Sequence, residues 1–198
     1  MNFLRKIKSI VQKGLEKDKA SKSIKTNKSK VSISNKGMLT FAHTGEVIQA
    51  ESLLKKAGFE VEVKAPPPAL HSGCDMIIVI DLISEVAIMD ILTKHNNEPL
   101  AILSIEHDLL KPVSLYHMQD FGQWLMVRAA NMKITVDKES HIIVNISGGG
   151  CPDVPYLAHK LLGITLEDAI EPRYIGQTLC CYSLQKAFIE ARRLLCGL

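Results

Sequence analysis

Five cysteines hold the reactive chemistry open to this 198-residue chain: Cys74, Cys151, Cys180, Cys181 and Cys196. Cys151 stands in Gly148-Gly149-Gly150-Cys151-Pro152, between the apolar run IIVNIS and the helix-patterned stretch DVPYLAHKLLG. Three glycines permit positive φ and a tight curl of the backbone, while Pro152 suits a first helical position with Cys151 as the cap. A thiol placed there faces the positive end of the helix dipole and free backbone N–H groups, which lower its pKa and stabilise a thiolate or persulfide. The same N–H groups suit phosphate or another anion, but neither a Lys-Ser/Thr pair nor a GxGxxG spacing accompanies them. A plain turn with a packed cysteine is the structural alternative.

Cys74 ends PPPALHSGC, where Ser72 and Gly73 give a small, flexible approach to the thiol and His71 lies three residues away. Asp75 beside it opposes thiolate formation, and a buried structural cysteine is the competing reading. On the C-terminal helical pattern, Cys180, Leu184, Ala187, Phe188, Ala191 and Leu195 share one face, so Cys180 reads as core. Cys181 lies about 100° further round, free to approach the Cys151 loop as a resolving thiol or sulfur acceptor, or to be buried. Cys196 sits near a terminus and receives no role. Arg173 is either an anion holder near the loop or a solvated charge. The histidines show no metal-ligand spacing and there is no HExxH or CxxC, so neither metal nor cofactor is expected.

These residues need elements to position them. Residues 1–30 hold 10 Lys/Arg against Glu16 and Asp18, a net of +8 in a chain whose total is +3. Residues 1–36 read as a basic tail: an amphipathic helix over 2–15, then a Lys/Ser/Asn-rich linker that buries too little to order itself. The tail suits an anionic surface, a nucleic acid or an acidic partner, or serves as a solvated extension. From Met38 the patterns run strand (MLTFA), helix (TGEVIQAESLLKKAG, capped by Thr44 and ended by Gly58), strand (FEVEVKAP), strand (DMIIVID), helix (ISEVAIMDILTKHN) and strand (PLAILSIEHD). That βαββαβ order predicts a ferredoxin-like domain over 38–108. A smaller α/β domain over 112–198 is expected to carry the cysteine loop. Within it WLMVRAANMKITVDKESHIIVNIS holds strands around a VDKES turn, LGITLEDAIEPRYIG a short helix, and GQTLCCYSLQKAFIEARRLLCGL a final helix.

Composition bounds the rest. A hydrophobic content of 46% suffices for packed cores, and no apolar run reaches the length of a membrane span. An odd number of cysteines without a secretory pattern points to reduced thiols and a cytoplasmic location.

Phe41, Thr44, Ala50, Glu51, Leu53, Leu54, Pro66, Ser72, Gly73 and Cys74 fall in a pattern that resembles the selenium/sulfur carrier protein-like domains. Those have an aromatic-containing first strand, Thr at the first helix start and a Pro-rich loop ending in Ser-Gly-Cys; the resemblance covers about residues 38–81. Cys151-Pro152 is also similar, in part, to the Cys-Pro-x-Pro signature of small sulfur-relay carriers. The resemblance implies a sulfur or selenium carrier, or accessory protein, that takes the group from a cysteine desulfurase or other donor protein and passes it to a protein acceptor. Such a carrier need not be a turnover enzyme. Cys151 is the first expectation for the carrying thiol and Cys74 the second. The alternative is a ligand- or protein-binding module with structural cysteines, and a thiol–disulfide oxidoreductase ranks third for want of a CxxC.

Overall fold

The computed structural model describes residues 35–70, 76–106 and 110–197. The basic tail, apart from its last two residues, and the Ser72-Gly73-Cys74 motif lie outside the described residues. The chain is of mixed α+β type and divides into two compact units, Met1–Val113 and Ser114–Leu198.

In the first unit the elements run β1 (Lys36–Thr40), α1 (Thr44–Lys56), β2 (Glu62–Lys64), β3 (Ile77–Asp81), α2 (Glu85–Lys94) and β4 (Ala101–Ser104). The sheet order is β2-β3-β1-β4 and every neighbouring pair is antiparallel. Pleating divides the apolar residues between two faces. Met38 and Ile77 pack with Leu70 and Leu110 on one side, whereas Leu39, Ile78 and Ile80 are buried on the other. The helices contribute a buried stripe of Val47, Ala50, Leu54, Ile88 and Leu92. His43, not Thr44, occupies the N-cap of α1, and Glu46 reaches back to accept from the Ala42 and His43 amides at 2.9 and 3.2 Å. Gly58, at φ 86°, ends that helix as expected.

The second unit is a four-stranded antiparallel meander, β5 (Tyr116–Phe121), β6 (Trp124–Ala129), β7 (Met132–Asp137) and β8 (Ile143–Gly148), in the order β5-β6-β7-β8. Its register aligns Val127 with Ile134 and Ile134 with Ile146, and these buried residues share one face with Ala129, Met132, Val136 and Ile143. Helix α3 (Val154–Leu161) follows β8, and α4 (Leu179–Leu195) packs along β6 and β7 through Leu184, Ala187, Phe188 and Ala191. The apolar stripe expected on the last helix is therefore its buried face, with Leu195 half-buried at its end. Between α3 and α4 the expected short helix is absent. Residues 162–171 form turns, followed by one 3-10 turn at Pro172–Tyr174.

Candidate functional site

β8 ends at Gly148, and the chain then doubles back beneath the start of α4. Gly148 and Gly149 take φ of 99° and 68°, a region where a side chain is strained. Space forbids one as well. A Cβ at Gly148 would stand 2.0 Å from the Asn131 carbonyl oxygen, and one at Gly149 would stand 2.5 Å from Cys180 Sγ and 2.9 Å from Met132 Sδ. Gly150 has neither constraint. Gly148 lets the backbone pass against Asn131 and Gly149 lays it directly on Cys180, which brings Cys151 to the first turn of α4.

The helix Cys151 serves is not its own. Residues 152–153 form a turn after Cys151, Asp153 occupies the N-cap of α3, and Pro155 rather than Pro152 lies within the first turn of that helix. Asp153 turns its carboxylate toward the residues leading into α4. It accepts from the Gln177 and Thr178 amides, each at 3.2 Å, and from the Thr178 hydroxyl at 2.7 Å. Thr178 in turn caps α4, accepting from the Cys181 amide at 3.3 Å. One carboxylate thus ties the cysteine loop to the start of a second helix.

The Cys151 thiol is half-buried and its pKa lies below that of an ordinary thiol. The largest cause is a hydrogen bond from the Cys180 thiol, followed by the Thr178 hydroxyl and the Cys180 backbone N–H; burial and the Asp153 charge act the other way. The Thr178 hydroxyl has a single proton, and its short bond to Asp153 claims it. Cys180 is therefore the principal donor, through both its thiol and its amide at the N-terminal end of α4. Cys180 is buried, and its sulfur also receives the Asn131 side-chain amide at 3.6 Å.

Cys181 is placed differently. Its buried thiol donates to the Pro172 carbonyl oxygen at 3.1 Å, and burial together with the Asp153 charge pushes it up to about 11. Cys180, read from the sequence as core alone, is the thiol the fold brings to Cys151. Arg173 pairs with Glu171 at 2.9 Å and lies over the Tyr174 ring, so its charge is engaged by these neighbours. Pro152 is exposed in the turn after Cys151. The signal for the Asp153–Thr178 brace lay in the sequence as two good capping residues, but their partnership across the intervening chain did not.

Comparison with known proteins defines the class first. Residues 36–104 match the family described as "Putative Se/S carrier protein-like", the one that the Phe41-to-Cys74 motif resembles, and residues 115–198 match a domain of unknown function, DUF8182. The "Uncharacterized protein MJ0011" of Methanocaldococcus jannaschii is 44% identical over 171 residues, which span 85% of this chain and 86% of that protein. The chain belongs to the family of that protein, and along this chain the Se/S carrier-like match is followed by the DUF8182 match. No solved structure matches. Among the described residues no helix is long and apolar enough to cross a membrane.

Proposed function

We propose that this protein carries sulfur or selenium as a persulfide or selenopersulfide on Cys151, with Cys74 as a second or relay thiol. The observation that carries the proposal is the cysteine loop laid against the start of α4, where Gly149 passes over Cys180 and Asp153 is bonded to Thr178, with the Cys151 thiol lowered in pKa by Cys180 first. A sulfur atom that must alternate between thiolate and terminal persulfide needs donors that stabilise negative charge without covalent attachment, and a helix N-terminus supplies them. The Se/S carrier-like first domain supports the same reading. Its strand order β2-β3-β1-β4, all antiparallel, supports taking that domain as ferredoxin-like.

In the loading step the Cys151 thiolate attacks the terminal sulfur of a donor persulfide. A new S–S bond forms at Cys151, the donor's own S–S bond breaks, and the donor cysteine leaves as thiolate. Delivery repeats the exchange with an acceptor nucleophile. A cysteine desulfurase is the donor of fitting chemistry, and the basic tail offers a contact to an acidic or anionic partner. A cytoplasmic location, where thiols remain reduced, suits this chemistry.

Incubating the chain with a cysteine desulfurase and cysteine tests the proposal by intact mass and peptide mapping. One added sulfur atom on Cys151, abolished by Cys151→Ser, is the expected result. Loading that survives Cys151→Ser and vanishes with Cys74→Ser moves the carrying thiol to the first domain. No adduct on either cysteine under turnover supports a binding module with structural cysteines.

The approach of the Cys151 loop to Cys180 favours one second reading, a thiol–disulfide couple without a CxxC. Mild oxidation that removes two hydrogens and joins these two residues in a mapped disulfide supports it.

A further inference from the structure

Away from the cysteine loop, three metal-ligating side chains from three separate segments of the second unit converge. His141 lies in the turn between β7 and β8, Glu167 in the turns after α3, and Cys196 at the C-cap of α4. His141 Nδ1 is 2.5 Å from Glu167 Oε1 and 3.7 Å from Cys196 Sγ, and the three ligand atoms all lie within 4.8 Å of one another. We propose that His141, Glu167 and Cys196 form a zinc site, with imidazole, carboxylate and thiolate as three ligands and the fourth tetrahedral position open to water or an anion.

Geometry and ligand type support zinc. Zinc ligated by nitrogen at about 2.0 Å and sulfur at about 2.3 Å in a tetrahedron separates those two atoms by about 3.5 Å. The 3.7 Å between Cys196 Sγ and His141 Nδ1 fits without rearrangement. The Glu167 oxygen must open by somewhat less than 1 Å to match a tetrahedral nitrogen–oxygen separation of about 3.3 Å. Its side chain is 40% exposed and has room to turn. A thiolate, an imidazole and one carboxylate suit a borderline-soft cation and give little to Mg²⁺ or Ca²⁺, which seek oxygen.

The frame beneath the cluster is rigid. The Leu166 amide donates to the His141 carbonyl at 3.0 Å, Ile142 bridges Thr165, and the Ile143 amide donates to the Ile164 carbonyl at 2.9 Å. These bonds fix the His141 and Glu167 segments side by side. His141 itself stands at φ 57° with its amide bonded to the Asp137 carbonyl. Without a cation, burial and the Glu167 carboxylate hold the Cys196 thiol protonated, up to about 11, while the Cys196 thiol and His141 hold Glu167 down to about 2. Arg192 is the opposing charge nearby. It lies 3.8 Å from Glu171 and acts on Cys196 in the direction of the thiolate. Zinc binding displaces the Cys196 proton.

The experiment uses the full chain, reduced and stripped of metal, in competition with a chromophoric zinc indicator. One zinc per chain is expected in the wild type, with no displacement by excess Mg²⁺. His141→Asn keeps a residue that tolerates positive φ, and Cys196→Ser and Glu167→Gln keep shape. The His141 and Cys196 variants are each expected to lose at least about 100-fold in zinc affinity, beyond the 10–100-fold typical of an outer-shell partner. Cooperative melting of the metal-free variants checks that they fold. X-ray absorption at the zinc edge of the loaded wild type reads the ligand set directly, with one sulfur expected among nitrogen and oxygen neighbours. The proposal is overturned if the wild type takes no zinc from the indicator. It is equally overturned by uptake unchanged in His141→Asn and Cys196→Ser, or by an edge spectrum with no sulfur or several, each of which puts zinc on other side chains.

Discussion

Cys151 owes its lowered pKa mainly to a neighbour 29 positions later in the chain, and that dependence can be tested one atom at a time. Removing the Cys180 thiol removes the largest cause of the shift, so in Cys180→Ala the Cys151 pKa rises toward that of an ordinary thiol, near 8.5. Cys180→Ser keeps a donor and holds most of the shift. The check is the pH dependence of iodoacetamide labelling at Cys151: the profile moves to higher pH in Cys180→Ala and moves less in Cys180→Ser. Identical profiles in wild type and Cys180→Ala refute the arrangement. Cys181 and Cys196, each pushed up to about 11 by burial first, remain slow to label at neutral pH in the folded protein.

Elements set the tolerance of the loop that carries this cysteine. Gly149→Ala combines a positive φ with a Cβ that meets two sulfur atoms, so it is expected to destabilise the second unit by roughly 1–3 kcal/mol in a urea melt. Gly150→Ala meets nothing within 4 Å and is expected to stay within about 0.5 kcal/mol of wild type. Equal costs at both positions contradict the close approach to Cys180. The β7–β8 turn has its own signature. Asp137 is buried and accepts from the amides of Glu139 and Ser140, the Ser140 hydroxyl and the Gln123 side chain, and these bonds hold its carboxyl at about 2, against an ordinary 3.8. A depressed folded pKa contributes stability that is present above pH 3.8 and lost as pH falls toward 2. Asp137→Asn is therefore expected to be less stable at neutral pH and to lose less on acidification through that window. A wild type whose stability does not change more steeply than the variant's between those pH values rejects this account.

At the scale of the whole molecule each unit has its own sheet and its own buried residues, which leads to the expectation that residues 114–198 fold alone, melt cooperatively and label at Cys151 as the full chain does. A fragment without a cooperative transition refutes it. The sequence by itself determined the parts governed by local periodicity. The βαββαβ succession of the first unit, the final helix with its Cys180–Phe188–Ala191 stripe, the VDKES turn and the need for glycine before Cys151 were all legible, because apolar spacing and φ preference are properties of neighbouring residues. The meander was only partly legible. β5 reads as YHMQDF and is exposed along most of its length, so the alternation that marks a half-buried strand is missing. The turn segment after α3 had helix-compatible residues but folds back through backbone pairing of Ile143 with Gly163 and Ile164, which no local pattern records. The tertiary structure alone decided which helix serves Cys151, that Cys180 and not Cys181 is its partner, and that His141, Glu167 and Cys196 meet. Each is a contact between residues 26 to 55 positions apart, where spacing carries no signal and the packing of α4 across the sheet, with the backbone pairing of the His141 and Glu167 segments, sets the distances.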